Sequence, residues 1–139
     1  REGLSSYEDI LEFSLATHST SWDKTNGFSW DNSGCRSDPS WFGFKLSVKE
    51  NAKFTRTELA RELDAKLVGN RMLFGGNLIR QPAFVQLRKE QPDAMRQIGS
   101  LNQSDRIMNN TLFLGTYPGL TKEMLMSEIN IIKDFIDRK

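Results

Sequence analysis

Hydrophobic and polar positions alternate most cleanly over residues 40–50, SWFGFKLSVKE. Phe42, Phe44, Leu46 and Val48 fall on one face of an extended segment, and Trp41, Gly43, Lys45, Ser47 and Lys49 on the other. That period of two predicts a strand whose first set faces the core. The period then changes. In TRTELARELDAKLV, Leu59, Leu63 and Leu67 recur at every fourth position with Ala60 between them, which predicts a helix capped by Thr55 or Thr57 and closed by Gly69-Asn70. RMLFG (71–75) reads as a short strand, AFVQLRKEQ (83–91) as a turn or two of helix after Pro82, and 92–103 as a connecting loop. Ser104 or Asp105 caps a short helix, DRIMNNT, which feeds the strand TLFLGTY (111–117). Pro118-Gly119 ends that strand in a turn. The last helix starts at Thr121, with Glu123 and Glu128 near its positive end and Leu125, Ile129, Ile132 and Phe135 on one stripe.

The N-terminal part is less regular. Residues 6–13 read as a short helix capped by Ser6, and 13–19 alternate like a strand. Over 21–34 the tripeptide Ser-Trp-Asp recurs after eight residues, each copy leading into an Asn/Asp/Gly turn, which predicts a hairpin or surface excursion. Asp23, Asn26 and Gly27 lack the further ligand spacing and the closing Glu of a calcium loop. The order helix, strand, loop, strand, helix, strand, helix, strand, helix predicts an α/β (α+β two-layer) domain, a small and mostly antiparallel sheet with helices on one face.

Composition narrows the function classes. At 139 residues the chain is expected to be a single domain over 1–139, long enough to bury a core without staples. Nineteen basic against eighteen acidic residues leave a net charge of +1, so a nucleic-acid binder built on a basic face is not expected. No apolar run approaches the roughly 18 residues that cross a bilayer, and no signal-peptide core opens the chain. One cysteine, Cys35, makes no internal disulfide or thiolate cage and points to a cytoplasmic setting. The single histidine, His18, has no companion at zinc-ligand spacing, so no metal is expected. The chain opens on Arg1 rather than a methionine, which suggests a piece of something larger.

Candidate chemistry gathers in three stretches. In RMLFGGNLIRQP (71–82) the strand delivers Gly75-Gly76, where backbone can approach a ligand. Asn77 follows, and Arg80 and Gln81 can reach a phosphate or sugar. The plainer alternative is that Arg71 and Arg80 make surface salt bridges and Gly-Gly is a turn. In SDPSWFGF (37–44), Trp41 can stack on a ring or simply cover the sheet, and Phe42 and Phe44 read better as core. In SDRIMNNTLFLGTYPGLT (104–121), Arg106, Asn109 and Asn110 share a short helix. No GxSxG, P-loop or GxGxxG signature is present.

Taken together, SDPSWFGFKLSV, FTRTELARELDAKLVGNRMLFGGNLIRQPAF and SDRIMNNTLFLGTYPGLTKEML resemble the C-terminal part of the DegT/DnrJ/EryC1/StrS sugar aminotransferases. Within that family they look most like the nucleotide-hexulose 3-dehydrases of the CDP-4-keto-6-deoxyglucose type, used in making O-antigen dideoxysugars. The likeness runs from residue 37 to about 137, and 20–36 looks like a surface loop insertion. The resemblance implies the small C-terminal domain of a fold type I enzyme, packed on an N-terminal pyridoxal phosphate domain of the same chain. It implies pyridoxal or pyridoxamine phosphate and a [2Fe-2S] cluster in the parent, with no catalytic residue and no cofactor held by this fragment alone. A CDP-hexose type substrate, a homodimeric parent and a separate reductase follow from it too. Trp41, Phe42, Arg71, Asn77, Arg80, Gln81 and Arg106 would line the substrate cleft. A nucleotide-sugar aminotransferase domain, and a stand-alone ligand-binding or protein-interaction module, are the alternatives.

Overall fold

The computed structural model describes residues 1–13, 19–23, 27–30 and 42–139. A 3-10 helix, Glu2–Tyr7, precedes β1 (Leu11–Phe13), β2 (Ser19–Asp23), β3 (Gly27–Trp30) and β4 (Gly43–Val48). Then come α1 (Arg56–Ala65), β5 (Asn70–Met72), a 3-10 turn at Leu78–Arg80 and α2 (Pro82–Glu90). A further 3-10 turn, Pro92–Ala94, leads to α3 (Asn102–Asn110), β6 (Thr111–Gly115) and α4 (Lys122–Asp137). Four strands form one antiparallel sheet in the order β1-β4-β6-β5, while β2 and β3 pair antiparallel with each other. This is the small antiparallel sheet with flanking helices that the alternating periods predict. Among the described residues no helix is long and apolar enough to cross a membrane.

Register explains the layers. Leu46 lies opposite Leu112, with Phe13 on its other side and Met72 beyond Leu112. These side chains point to one face together with Leu11, Val48 and Leu114, and α1 and α4 cover that face with Leu59, Leu63, Ile132, Phe135 and Ile136. The second face carries Glu12, Lys45, Ser47, Thr111, Phe113 and Arg71, as the period of two requires. At one end of it α3 lies against β4 and β6. There Ser47 and Thr111 are buried and hydrogen-bond through their hydroxyls at 2.7 Å, so neither is orphaned.

Local departures from the expected elements have tertiary causes. The helix expected over 6–13 is replaced by the 3-10 helix at Glu2–Tyr7 and by β1, where Leu11 is fully buried against β4. Pairing and burial outweigh the short segment's weak helical preference. Of the strand expected over 13–19, Phe13 ends β1 and Ser19 begins β2, and 14–18 lie outside the described residues. Residue 42 precedes β4 rather than belonging to it, so Phe42 is 67% exposed instead of facing the core. Its ring lies over Phe113 on the second face, centroids 5.4 Å apart. α3 begins at Asn102, earlier than a Ser104 or Asp105 cap would place it, with no side-chain cap bond. On α4, Leu125 is exposed while Ile132 and Phe135 are buried, because only the later turns lie on the sheet.

Helix α1 is closed at both ends. Thr55 Oγ1 accepts from the Glu58 N–H at 3.2 Å and Glu58 Oε2 accepts from the Thr55 N–H at 2.8 Å, a reciprocal capping box. That backbone N–H, the Lys139 ammonium and the Thr55 hydroxyl hold the Glu58 carboxyl at about 2. At the other end the expected Gly69 is not the closing residue. Leu67 takes the left-handed conformation (φ 61°), while the Leu67 and Val68 N–H groups donate to Asp64 O and Leu63 O. This is the Schellman arrangement with a leucine where glycine is favoured. Leu67 is 95% exposed, so it gains no packing there.

Leu67→Gly should therefore stabilise the chain. Removing the left-handed strain outweighs the added freedom of the unfolded state by about 0.5–1 kcal/mol. Urea denaturation measures this as a raised midpoint at unchanged slope; an unchanged or lowered midpoint would show that Leu67 carries no strain.

Candidate functional site

The segment between β5 and α2 is built on the second face and clamped to α3. Gly76 adopts φ 61°, and a Cβ there would come within 2.5 Å of Met108 on α3. Only glycine allows both the conformation and the close packing. Asn77, 3% exposed, donates its side-chain N–H to Asp105 Oδ1 at 2.8 Å. Arg80 closes a fork on the same carboxylate, Nε to Oδ1 at 3.1 Å and Nη2 to Oδ2 at 2.9 Å. Gln81 Nε2 donates to Gly75 O at 2.7 Å and folds the segment back on itself. Arg80's hydrogen bonds first, and Asn77's second, hold the Asp105 carboxyl below the ordinary aspartate range.

The seven candidate residues thus separate into groups. Asn77 and Arg80 come together on Asp105 and shape the loop. Arg106 pairs with Glu12 of β1. Arg71 lies exposed on β5, and its side chain bonds to no described residue. Phe42 reaches the same face from the start of β4, and Trp41 lies outside the described residues. Arg71, Phe113 and Lys45 form one row across β5, β6 and β4.

Three residues that matter here escaped the sequence reading. Asp105 was read as a helix cap, and nothing local marks it as the partner of residues some 28 positions earlier. Phe74 was taken as the end of a strand. It instead has φ 45° and 77% exposure, with its ring 5.9 Å from both Phe42 and Phe113. Phe113 was read only as part of the strand over 111–117, yet it forms the floor under those two rings. Gly43 makes room for it, since a Cβ at 43 would come within 2.5 Å of the Phe113 ring. Among the described residues no group of three or more His, Cys, Asp or Glu side chains could hold a metal ion. The chemistry this face offers is recognition: guanidinium and ammonium groups for anions, aromatic faces for flat or apolar groups.

Because the Asp105 carboxyl is held low, its clamp is complete above the ordinary aspartate pKa of about 3.9 and is lost as pH falls through the lowered value. NMR signals of the Asn77 side-chain amide and the Arg80 Nε–H should hold their shifts from neutral pH down to about 4 and move below it. Asp105→Asn should show the acid-form shifts at neutral pH with little change in global melting. Signals that ignore both changes would contradict the clamp.

Comparison with known proteins follows the same lines. The chain is 38% identical over 135 residues to a lipopolysaccharide biosynthesis protein of Salmonella typhimurium, covering 97% of this chain and 26% of that protein. It is 41% identical over 100 residues to a dTDP-4-dehydro-2,6-dideoxy-D-glucose 3-dehydratase of Saccharopolyspora spinosa, covering 72% of this chain and 20% of that protein. The chain therefore spans about a quarter or less of these relatives' lengths. The fold also matches a solved GDP-4-keto-6-deoxymannose-3-dehydratase with bound GDP-perosamine (TM-score 0.65, 16% identity, 94% of this chain, 28% of that one). It matches a DegT DnrJ EryC1 StrS aminotransferase from Brucella abortus as well (TM-score 0.61, 16% identity, 98% of this chain, 29% of that one). The sequence profile of the DegT/DnrJ/EryC1/StrS aminotransferase family matches residues 15–133. The chain belongs to the DegT/DnrJ/EryC1/StrS aminotransferase family.

Proposed function

We propose that this chain is the C-terminal small domain of a pyridoxal or pyridoxamine phosphate-dependent nucleotide-sugar 3-dehydrase, completing the substrate cleft of a longer polypeptide. The reaction would remove the 3-hydroxyl of a nucleotide-linked 4-keto-6-deoxyhexose, as in dideoxysugar and O-antigen synthesis. The observation that carries this reading is the second face of the sheet. It presents Arg71, Lys45, Phe42 and Phe74 on a rigid floor, while the first face is closed by α1 and α4. The 41% identity to a relative named as a sugar 3-dehydratase supports dehydration over amino transfer.

The residues present do not make a cofactor site of their own. One cysteine cannot supply the thiolates of a [2Fe-2S] cluster, and Lys45, half-buried on the central strand β4 of an open face, is not enclosed as a Schiff-base lysine would be. Those groups belong, on this proposal, to an N-terminal domain of the parent, a homodimer served by a separate reductase in the cytoplasm. When bound there, the pyridoxamine phosphate supplies the electron sink. This chain's share is orientation. Arg71 offers a fork to an anionic substrate group, and the Asp105 clamp fixes the loop that Arg80, Asn77 and Gln81 build. Arg106, turned onto Glu12, holds α3 against the sheet edge. The aminotransferase reading rests on the family's name and on the Brucella structure.

The test uses the longer polypeptide together with pyridoxamine phosphate, the reductase and a nucleotide-linked 4-keto-6-deoxyhexose. Mass spectrometry should show loss of the 3-hydroxyl, and the 139-residue chain alone should turn over nothing. Arg71→Gln in the longer protein should lower kcat/KM about tenfold or more, the size of a lost charged hydrogen bond. An aminated product with an amino donor would move the assignment to aminotransferase. Turnover by the chain alone would overturn the proposal.

A further inference from the structure

We infer that the cleft between the end of α1 and the first turns of α4 is a binding site for a small organic ammonium ion with an apolar body, its charge held by Glu128. The cleft has a volume of about 390 Å³, within the range of small-molecule sites. Val68 lines it from the segment after α1, Tyr117 and Leu120 from the turn before α4, and Met124, Glu128 and Ile131 from α4 itself. Each of these segments is fixed. The Val68 N–H donates to Leu63 O at 2.9 Å where α1 closes. The Leu120 N–H donates to Tyr117 O at 3.1 Å across Pro118-Gly119, and a Cβ at Gly119 would come within 2.8 Å of the Tyr117 ring, so the ring rests on the bare turn. Thr121 Oγ1 then accepts from the Met124 N–H at 3.2 Å and starts α4. The lining thus stands in place before anything binds, which reduces the ordering that binding must impose. Tyr117 and Met124 remain 55% and 47% exposed, so apolar area is left for a ligand to cover.

Glu128 decides the kind of ligand. It is half-buried and makes no hydrogen bond or ion pair with any described residue. Burial pushes its carboxyl above the ordinary glutamate range. Glu58 and Asp105, by contrast, each collect hydrogen bonds from the chain. A carboxylate partly withdrawn from water without a partner is a cost that nothing within the described chain offsets. The Lys66 ammonium, exposed on the rim of the cleft, makes no ion pair with it. A hard metal ion takes about six oxygen ligands or more, and Glu128 is the single carboxylate of the lining. An anion would be repelled by Glu128, and a neutral apolar molecule would cover the carboxylate without partnering it. An ammonium group on an aliphatic or aromatic body satisfies both parts, giving the carboxylate a charged donor and the apolar lining a surface to cover.

The experiment is an amide NMR titration of this chain at neutral pH with phenethylamine, with phenethyl alcohol, hydrocinnamate and ammonium chloride as comparators. The amine should shift Val68, Gly69, Leu120 and Glu128 and bind about tenfold more tightly than the alcohol, the size of a charged hydrogen bond, while hydrocinnamate should leave these signals unmoved. In Glu128→Gln the amine should fall to the alcohol's affinity, whereas Met124→Ala should weaken amine and alcohol alike. Because Glu128 has no partner to lose, Glu128→Gln should melt at the same temperature or higher, which separates loss of binding from loss of fold. Equal affinity for amine and alcohol, amine binding that survives Glu128→Gln, ammonium chloride binding as tightly as the amine, shifts centred outside the cleft, or no binding at millimolar amine would each overturn the site. A lower melting temperature in Glu128→Gln would overturn it too, by showing that the carboxylate already has a partner within the chain.

Discussion

The register of β4 against β6 decides which chemistry each face of the sheet carries. With Leu46 opposite Leu112, the leucines of both central strands turn toward α1 and α4, and Lys45, Phe113, Ser47 and Thr111 turn the other way. A slip of one residue would send Lys45 and Ser47 into the helices and Leu46 into water, which burial of the core forbids. Arg71 and Glu12 inherit their orientation from the same register through β5 and β1. The open face is thus a by-product of how the closed face is built.

What stands on the open face is held by polar contacts chosen for geometry more than for stability. Arg80 on Asp105 is an exposed pair, and exposed pairs are screened by water and salt. Its consequence is positional. Together with Asn77 it fixes the loop after β5 to α3 at two points on one carboxylate, and the Met108 contact against Gly76 adds a third. Two of the arginines that a sequence reader would assign to a ligand are in fact bound to carboxylates of the chain itself, Arg80 to Asp105 and Arg106 to Glu12. Arg71, on the same face, bonds through its side chain to no described residue.

The parts of this that were legible in the sequence are those set by local periodicity. The strand of residues 43–48, the capped helix beginning after Thr55 and the last helix after Thr121 all sit where alternation, four-residue spacing and cap chemistry place them. The N-terminal segment was misread because its conformation comes from pairing with β4, a contact between distant positions. Phe42 was assigned to the core by extending the strand's alternation one residue too far. The stretch 71–82 was singled out for its polar density, and the structure does make it a distinct built loop. Its anchor, Asp105, could not be found by pattern, since a carboxylate near a helix start looks like a cap in any sequence. The helix end at Leu67 was missed because glycine is the usual occupant of that conformation and Gly69 stood nearby.

The sheet has one closed face and one open face whose aromatic rings meet solvent. Solvent paramagnetic relaxation of the phenylalanine ring signals, recorded on this chain with a soluble paramagnetic probe, tests it most directly. Phe42 and Phe74 should relax strongly, while Phe54 and Phe135, packed edge to face at 5.0 Å between α1 and α4, should be nearly untouched. Equal protection of all four rings would contradict the account, because it would mean that the second face is covered by the chain itself.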